Sequence, residues 1–236
     1  MSQMFPLPTS TVHALTPTIK FAPDAAVWVL PVLFVITFLL GSIPWGVIIS
    51  KCVYKKDIRK EGSGNIGTTN AIRSLGAKGG IIVFLLDFSK GLLAGWLGLL
   101  VSNNVIALAD WLAGAPLGVA FIGCVWGHIF SPWLAFKGGK GIAVAVGAIV
   151  YVFGPVGLLI EIAVFIILVI ITKYVSVGSI AAAVICPFLA LWLHFGQWAL
   201  IIMCAIAAIT VIWAHRANIK RLLSGTENRI GKKEVA

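Results

Sequence analysis

What most constrains this chain is a succession of apolar runs, each closed off by a short polar stretch. About twenty consecutive apolar residues carry a helix across a hydrocarbon core some 30 Å thick. No water reaches the backbone in that core, so such a run must bond its own N–H and C=O groups as a helix. Composition points the same way: 60% of the residues are hydrophobic and 11% charged, against about 25% charged in a soluble domain. The expected fold is therefore an all-α integral membrane domain. Runs at about 26–50, 79–101, 116–130, 142–153, 155–172, 180–194 and 198–214 give about seven transmembrane helices.

The formal net charge of +10 does not mark a nucleic-acid binder, because of where the bases lie. Nearly all Lys and Arg fall at 51–60 with Arg73 and Lys78, at 137–140, at Lys173 and at 216–233. Loops rich in Lys and Arg stay in the cytoplasm. Seven spans then leave the N-terminus outside and put every base-rich stretch on the cytoplasmic side. The chain divides into a tail at 1–25, periplasmic or interfacial, a seven-span domain at 26–215, and a basic cytoplasmic tail at 216–236. The first tail has neither a basic n-region nor a small-residue cleavage site, so it is not read as a cleaved signal peptide. Cys52, Cys124, Cys186 and Cys204 are scattered and form no CxxC pair, which reads as small apolar fillers rather than disulfides or metal ligands.

Some runs are irregular. Pro44 should kink the first span near its end. Asp87 and Lys90 lie three apart, hence on one helical face. Because a lone charge in the bilayer centre costs about 3 kcal/mol, they are read first as a structural pair and second as a wall of a site. The run 142–153 covers only about 18 Å as a helix. Either its span begins inside the preceding glycine loop or that loop dips into the membrane, and both put Lys140 below the surface. Glu161 lies towards the outer end of its span, where a hydrogen-bond partner is expected and no catalytic role is assigned.

Chemistry gathers in the inner loops. Gly138-Gly139-Lys140-Gly141 follows Lys137. Glycines let backbone N–H groups approach an anion, lysine adds countercharge, and a following helix N-terminus completes a phosphate cradle. The alternative is a tight turn with a snorkelling lysine. A Walker A loop is excluded, because Gly141 stands where Ser or Thr is required. Gly62-Ser63-Gly64-Asn65-Ile66-Gly67 fits G-x-G-x-x-G formally, but a charged stretch precedes it and a span follows, so the dinucleotide reading fails. A glycine-rich turn with polar donors remains, followed by Asn70 and Arg73 on one helical face. His215 and Asn218 share a face at the inner end of the last span, either as an interfacial cap or as part of a site. No histidine opens a His-x4-Asp pattern, which removes the usual thioester-dependent glycerolipid acyltransferase site. No aspartate-rich run suits the divalent metals of CDP-alcohol transferases, and no Cys/His cluster suits zinc.

Taken in order, these stretches resemble the bacterial acyl-phosphate:glycerol-3-phosphate acyltransferases. The likeness runs from about Leu39 to Ile230. It rests on Gly41-Ser42-Ile43-Pro44, on Gly62 to Asn70 with Arg73, and on Asp87 with Lys90-Gly91. Further support comes from Gly127-His128 through Gly141, from Val175 to Ser179, and from His215 to Ile219 with Gly225-Thr226-Glu227. Thr68 departs from the alanine common in the family, and the N-terminal tail is longer than in compact members. The resemblance implies a seven-span enzyme of the bacterial inner membrane with its site at the cytoplasmic face. There the 1-hydroxyl of sn-glycerol 3-phosphate would attack a fatty acyl phosphate, giving lysophosphatidic acid and inorganic phosphate without cofactor or metal. It implies Ser63, Arg73, Lys140, Ser179, His215 and Asn218 as catalytic residues. Substrate binding would fall to Gly62, Gly64, Asn65, Gly67, Asn70, Lys137, Gly138, Gly139, Gly141 and Ser176. The implied partners are the two substrates, the lipid bilayer and an enzyme that produces acyl phosphate. A small transporter for a phosphorylated solute, or a non-enzymatic lipid-binding protein, is the competing class. Nearly uncharged outer loops and polar stretches confined to one side count against the first, and the second would need no glycine loops paired with Ser, Asn and His on one side.

Overall fold

The computed structural model describes residues 26–104 and 110–231. The expectations for the tail at 1–25, for 105–109 and for 232–236 lie outside them.

Nine helices follow in order among the described residues: α1 (Ala26–Ser42), α2 (Trp45–Cys52), α3 (Thr68–Asn104), α4 (Ala115–Ile129), α5 (Ile142–Val152), α6 (Gly154–Thr172), α7 (Val175–Leu193), α8 (Trp198–Ala214) and α9 (Arg216–Leu223). Short 3-10 turns at Ile58–Lys60, Asp110–Leu112 and Pro132–Leu134 complete the pattern. Each expected span has a helical counterpart, but the count of seven is approximate. Five helical segments are long and apolar enough to cross a membrane, and α8 with α9 makes a sixth if that bent pair is taken as one. The exception is α5, whose eleven residues cover about 16 Å. It starts after Gly141, so the span does not begin inside the glycine loop.

Pro44 separates α1 from α2, as its missing N–H requires. The carbonyls freed at the break find side-chain donors. Ser131 Oγ bonds the Ser42 carbonyl at 2.7 Å, and Lys90 Nζ bonds that of Ile43 at 2.8 Å. In a low-dielectric setting this re-satisfaction is what permits a broken helix.

The polar connection expected at 51–78 is shorter than its composition suggests. α3 already begins at Thr68 and is interrupted at Gly76, whose φ of 80° and ψ of 175° leave the helical region. The eight residues before the break form a little over two amphipathic turns. Their Ala71 and Leu75 pack with Val47, Ile58 and Ile66 in a small apolar cluster under α2. Likewise α7 begins at Val175 rather than near 180, so the expected loop at 173–179 is largely its first turn.

The bundle closes around α4, nearly every residue of which is buried. α4 packs on α1, α3, α5 and α8. Phe121, Val125 and Ile129 of α4 meet Ile149 of α5, Leu189 of α7 and Leu200 of α8 in the main core. Short α5 is clasped to α3 by reciprocal glycines. A Cβ on Gly91 would overlap the Val144 carbonyl, and one on Gly147 the Phe88 carbonyl. Backbones approach this closely only where side chains vanish, the usual device for association in lipid, where apolar burial supplies no drive. Cys124, Cys186 and Cys204 are buried and unpaired, consistent with apolar filling.

Candidate active site

A cavity of about 550 Å³ opens within the bundle, lined by residues from 63 to 228 in chain order. One end is polar, built from the 63–73 segment, Lys140, the first turn of α7 and the 215–228 segment. The other end is walled by aliphatic and aromatic side chains of α4, α5, α6, α7 and α8.

Asn70 organises the first polar wall. Its side-chain Oδ1 accepts from the Ser63 amide at 2.9 Å, and its Nδ2 donates to the carbonyls of Asn65, Ile58 and Glu61 at 2.8, 3.1 and 3.1 Å. The loop can wrap this buried amide because Gly62 takes a φ of +51°, and a Cβ there would press on Asn70 Oδ1. Asn65 Oδ1 accepts from the Gly67 amide at 2.9 Å, an Asx turn that leads into α3. Ser63 and Arg73 are thereby held on the cavity wall with exposed side chains.

The glycine segment 138–141 departs from the expected nest. The Gly138 amide donates to the Ile129 carbonyl at 2.9 Å and that of Gly139 to the His128 carbonyl at 3.0 Å. These two N–H groups terminate α4 and are not free for an anion. Gly141, with a φ of +83°, turns the chain into α5. Lys140 is half-buried at the cavity wall, and burial brings its amine down to about 8. Glu227 opposes that shift, while Arg221 and Arg73 add to it.

N–H groups free to meet an anion are found instead at helix starts. Thr68 and Thr69 of α3, Ile142 and Ala143 of α5, and Val175 and Ser176 of α7 all line the cavity. The starts of α5 and α7 carry no side-chain cap. Each helix N-terminus has unpaired N–H groups and the positive end of the macrodipole. Three of them, with Arg73, Lys140 and Arg221, give a polar end suited to more than one anionic group.

The opposite wall is tied together by Glu227. Its Oε1 accepts from Asn218 Nδ2 at 2.7 Å and from Ser176 Oγ at 3.0 Å, and its Oε2 accepts from Arg221 Nε at 2.7 Å. Burial alone would raise this carboxyl, but the hydrogen bonds from Asn218, Arg221 and Ser176 outweigh it and hold it below its ordinary range. α7 and α9 are thus joined through one carboxylate. His215 sits at the 53° bend between α8 and α9. Its Nδ1 lies 2.8 Å from the Val211 carbonyl, which places the ring proton on Nδ1 and leaves Nε2 as an acceptor.

The Asp87–Lys90 pair is structural and also borders the site. Lys90 Nζ lies 2.9 Å from Asp87 Oδ1 and 3.0 Å from His128 Nδ1, with all three side chains buried. The Asp87 contact is an ion pair rather than an aligned hydrogen bond, since Oδ1 has no hydrogen-bond donor. Asp87 and His128 reach the cavity wall.

All six residues expected to be catalytic, Ser63, Arg73, Lys140, Ser179, His215 and Asn218, line this one cavity, as do Asn65, Gly67, Asn70 and Ser176. Gly62, Gly64, Lys137, Gly138, Gly139 and Gly141 do not. The glycines shape the loops, and Lys137 is exposed beyond the wall. Sequence reasoning missed Thr68, Thr69, His128, Arg221 and Glu227. The signal for Glu227 was present, as one of two acids in the strongly basic 216–236 tail. Glu161 also differs from expectation: it is 4% exposed, lines the cavity, and its Oε1 has no hydrogen-bond partner among the described residues.

The model of the glycerol-3-phosphate acyltransferase family matches residues 31–225. The chain is 38% identical over 221 residues to the glycerol-3-phosphate acyltransferase of Chlorobaculum tepidum, covering 84% of this chain and 95% of that one. It is 39% identical over 199 residues to glycerol-3-phosphate acyltransferase 2 of Bacillus anthracis, covering 83% and 96%. Among solved structures it is similar to PlsY (YgiH), an integral membrane glycerol 3-phosphate acyltransferase. The glycerol 3-phosphate form gives a TM-score of 0.75 at 35% identity, covering 86% of this chain and 96% of that one. The lysophosphatidic acid form gives 0.72 at 34% over the same shares.

Proposed function

The chain belongs to the glycerol-3-phosphate acyltransferase family, and from that premise we propose how its cavity carries out the reaction with a fatty acyl phosphate as donor. It is an integral membrane acyltransferase that joins a fatty acyl group to sn-glycerol 3-phosphate. The observation that carries the reading is the continuity of the cavity, from an anion-binding polar end into an apolar limb. An acyl phosphate needs both ends, and glycerol 3-phosphate needs the first.

In this proposal Arg73, Lys140, Ser179, His215 and Asn218 surround glycerol 3-phosphate. Ser63 and the α3 start hold the donor phosphate. The 1-hydroxyl oxygen forms a bond to the acyl carbonyl carbon, and the bond from that carbon to the phosphate oxygen breaks. The electron pair leaves with phosphate, which takes up the hydroxyl proton. The products are 1-acylglycerol 3-phosphate and inorganic phosphate. Phosphate is a good leaving group and its oxygens accept a proton, so no dedicated protein base is required. His215 Nε2 serves as an acceptor that orients a glycerol hydroxyl. Catalysis then rests on positioning two anions and on stabilising the oxyanion with N–H and cationic groups. Glu227 keeps Asn218 and Ser176 in place. The family's bacterial setting and the base-rich inner stretches support an inner-membrane location with the site at the cytoplasmic face and an acyl-phosphate-producing enzyme as partner.

The test is acyl transfer to labelled glycerol 3-phosphate by purified protein in detergent, with palmitoyl phosphate and palmitoyl-coenzyme A compared and no added metal. Product with release of phosphate from the acyl phosphate alone is expected. Transfer from the thioester alone would overturn the donor assignment. Full activity in folded Lys140→Ala or His215→Ala protein would overturn the site assignment.

A further inference from the structure

Glu161 is the one carboxyl among the described residues that is buried, borders the apolar limb of the cavity and lacks a base within ion-pair distance. Its Oε1 has no hydrogen-bond partner among the described residues. The limb is also lined by Leu158, Ile162 and Phe165 of the same helix, Ile149 of α5 and Cys186 of α7. An unpaired polar atom in such a wall costs about 1–3 kcal/mol when water is removed from it without replacement, so its position bears on what fills the limb. Depth follows from the α6–α7 hairpin. Glu161 lies eleven residues before the end of α6 at Thr172, and Cys186 lies eleven after the start of α7 at Val175, so the two are level. Cys186 is seven residues beyond Ser179, about 10 Å along the helix. An extended acyl chain advances about 1.25 Å per carbon from its 1.5 Å bonds. With its carbonyl beside Ser179, it passes Glu161 after about eight carbons.

We propose that Glu161 is a specificity-determining residue of the acyl limb, favouring acyl chains that stop short of it or carry a hydroxyl opposite it. A hydrocarbon segment at this depth strips water from the carboxyl and returns no hydrogen bond, whereas a hydroxyl replaces the lost water. The inference rests on the reading of the apolar limb as the acyl site. It does not depend on the identity of the donor, because lysophosphatidic acid is the product in either case.

The experiment is titration calorimetry of lysophosphatidic acids in detergent against the wild type, Glu161→Gln and Glu161→Leu. The ligands are octanoyl, octadecanoyl and octadecanoyl with a hydroxyl at about the ninth or tenth carbon. The wild type should bind the hydroxylated chain on the order of fivefold to tenfold more tightly than the plain one. Glu161→Leu should abolish that preference and improve octadecanoyl over octanoyl by a similar factor, while Glu161→Gln keeps the preference for the hydroxyl. Affinity ratios within one preparation are independent of its folded fraction. Identical ratios in all three proteins would overturn the inference and leave the donor assignment standing. No binding of any chain would overturn it together with the acyl limb. Failure of acyl phosphate in the transfer assay, with the ratios as expected, would fall on the donor alone.

Discussion

Replacing Asn70 separates a residue that holds the loop from one that holds substrate. Its Oδ1 takes one backbone N–H, and its two Nδ2 protons are shared among three carbonyls. Asn70→Ala therefore removes about three hydrogen-bond equivalents at roughly 1 kcal/mol each. Water reaches part of the loop and repairs some of them, leaving an expected loss of about 2–3 kcal/mol. Asn70→Asp keeps the acceptor for the Ser63 amide but turns a carboxylate oxygen towards three carbonyls, so it should be at least as damaging as alanine. Ser63 and the start of α3 depend on this loop, so the KM for the anionic donor should rise on the order of tenfold in the same variants. The assay is thermal unfolding in detergent beside steady-state kinetics. A direct substrate contact predicts raised KM with unchanged melting. Unchanged melting of Asn70→Ala, or an Asn70→Asp protein more stable than Asn70→Ala, would refute the reasoning.

Other outcomes follow from the same geometry. Burial brings Lys140 down to about 8, so the cationic form that binds phosphate is present below that pH and is lost above it. Affinity for glycerol 3-phosphate should fall as pH rises past 8, and Lys140→Arg, which stays charged, should remove that fall in a pH series of binding. Lys90→Met leaves Asp87 as an unpaired buried charge and should cost about 3–5 kcal/mol, while Asp87→Leu with Lys90→Met should recover the part due to that charge in thermal melts, the Ile43 carbonyl and His128 still lacking the Lys90 donor. Glu227→Gln weakens the charge-assisted bond from Arg221 and the joint between α7 and α9. It should cost about 1–2 kcal/mol, discounted because Arg221 is partly solvated, and a cycle with Ser176→Ala should show coupling measurable in the same melts.

Hydrophobic run length alone determined that this chain is a membrane helical bundle, because each span satisfies its own backbone and needs no distant partner to be recognised. The Pro44 break and the Asp87–Lys90 pair were equally local, one a missing N–H and the other an i, i+3 spacing. Ser63, Arg73, Lys140, Ser179, His215 and Asn218 could be named as catalytic only through the family resemblance, which a set of short polar motifs in chain order carries. Tertiary structure decided what each group is free to do. Whether the Gly138 and Gly139 amides face an anion depends on where α4 ends, and its last carbonyls took them. Whether Asn70 meets substrate depends on three carbonyls up to twelve residues away, which no helical spacing encodes. Glu227 joins a helix start 51 residues earlier, and Glu161 faces a cavity formed only when α3 to α9 close around it. Local pattern records what a residue can bond, whereas packing determines which partner reaches it first.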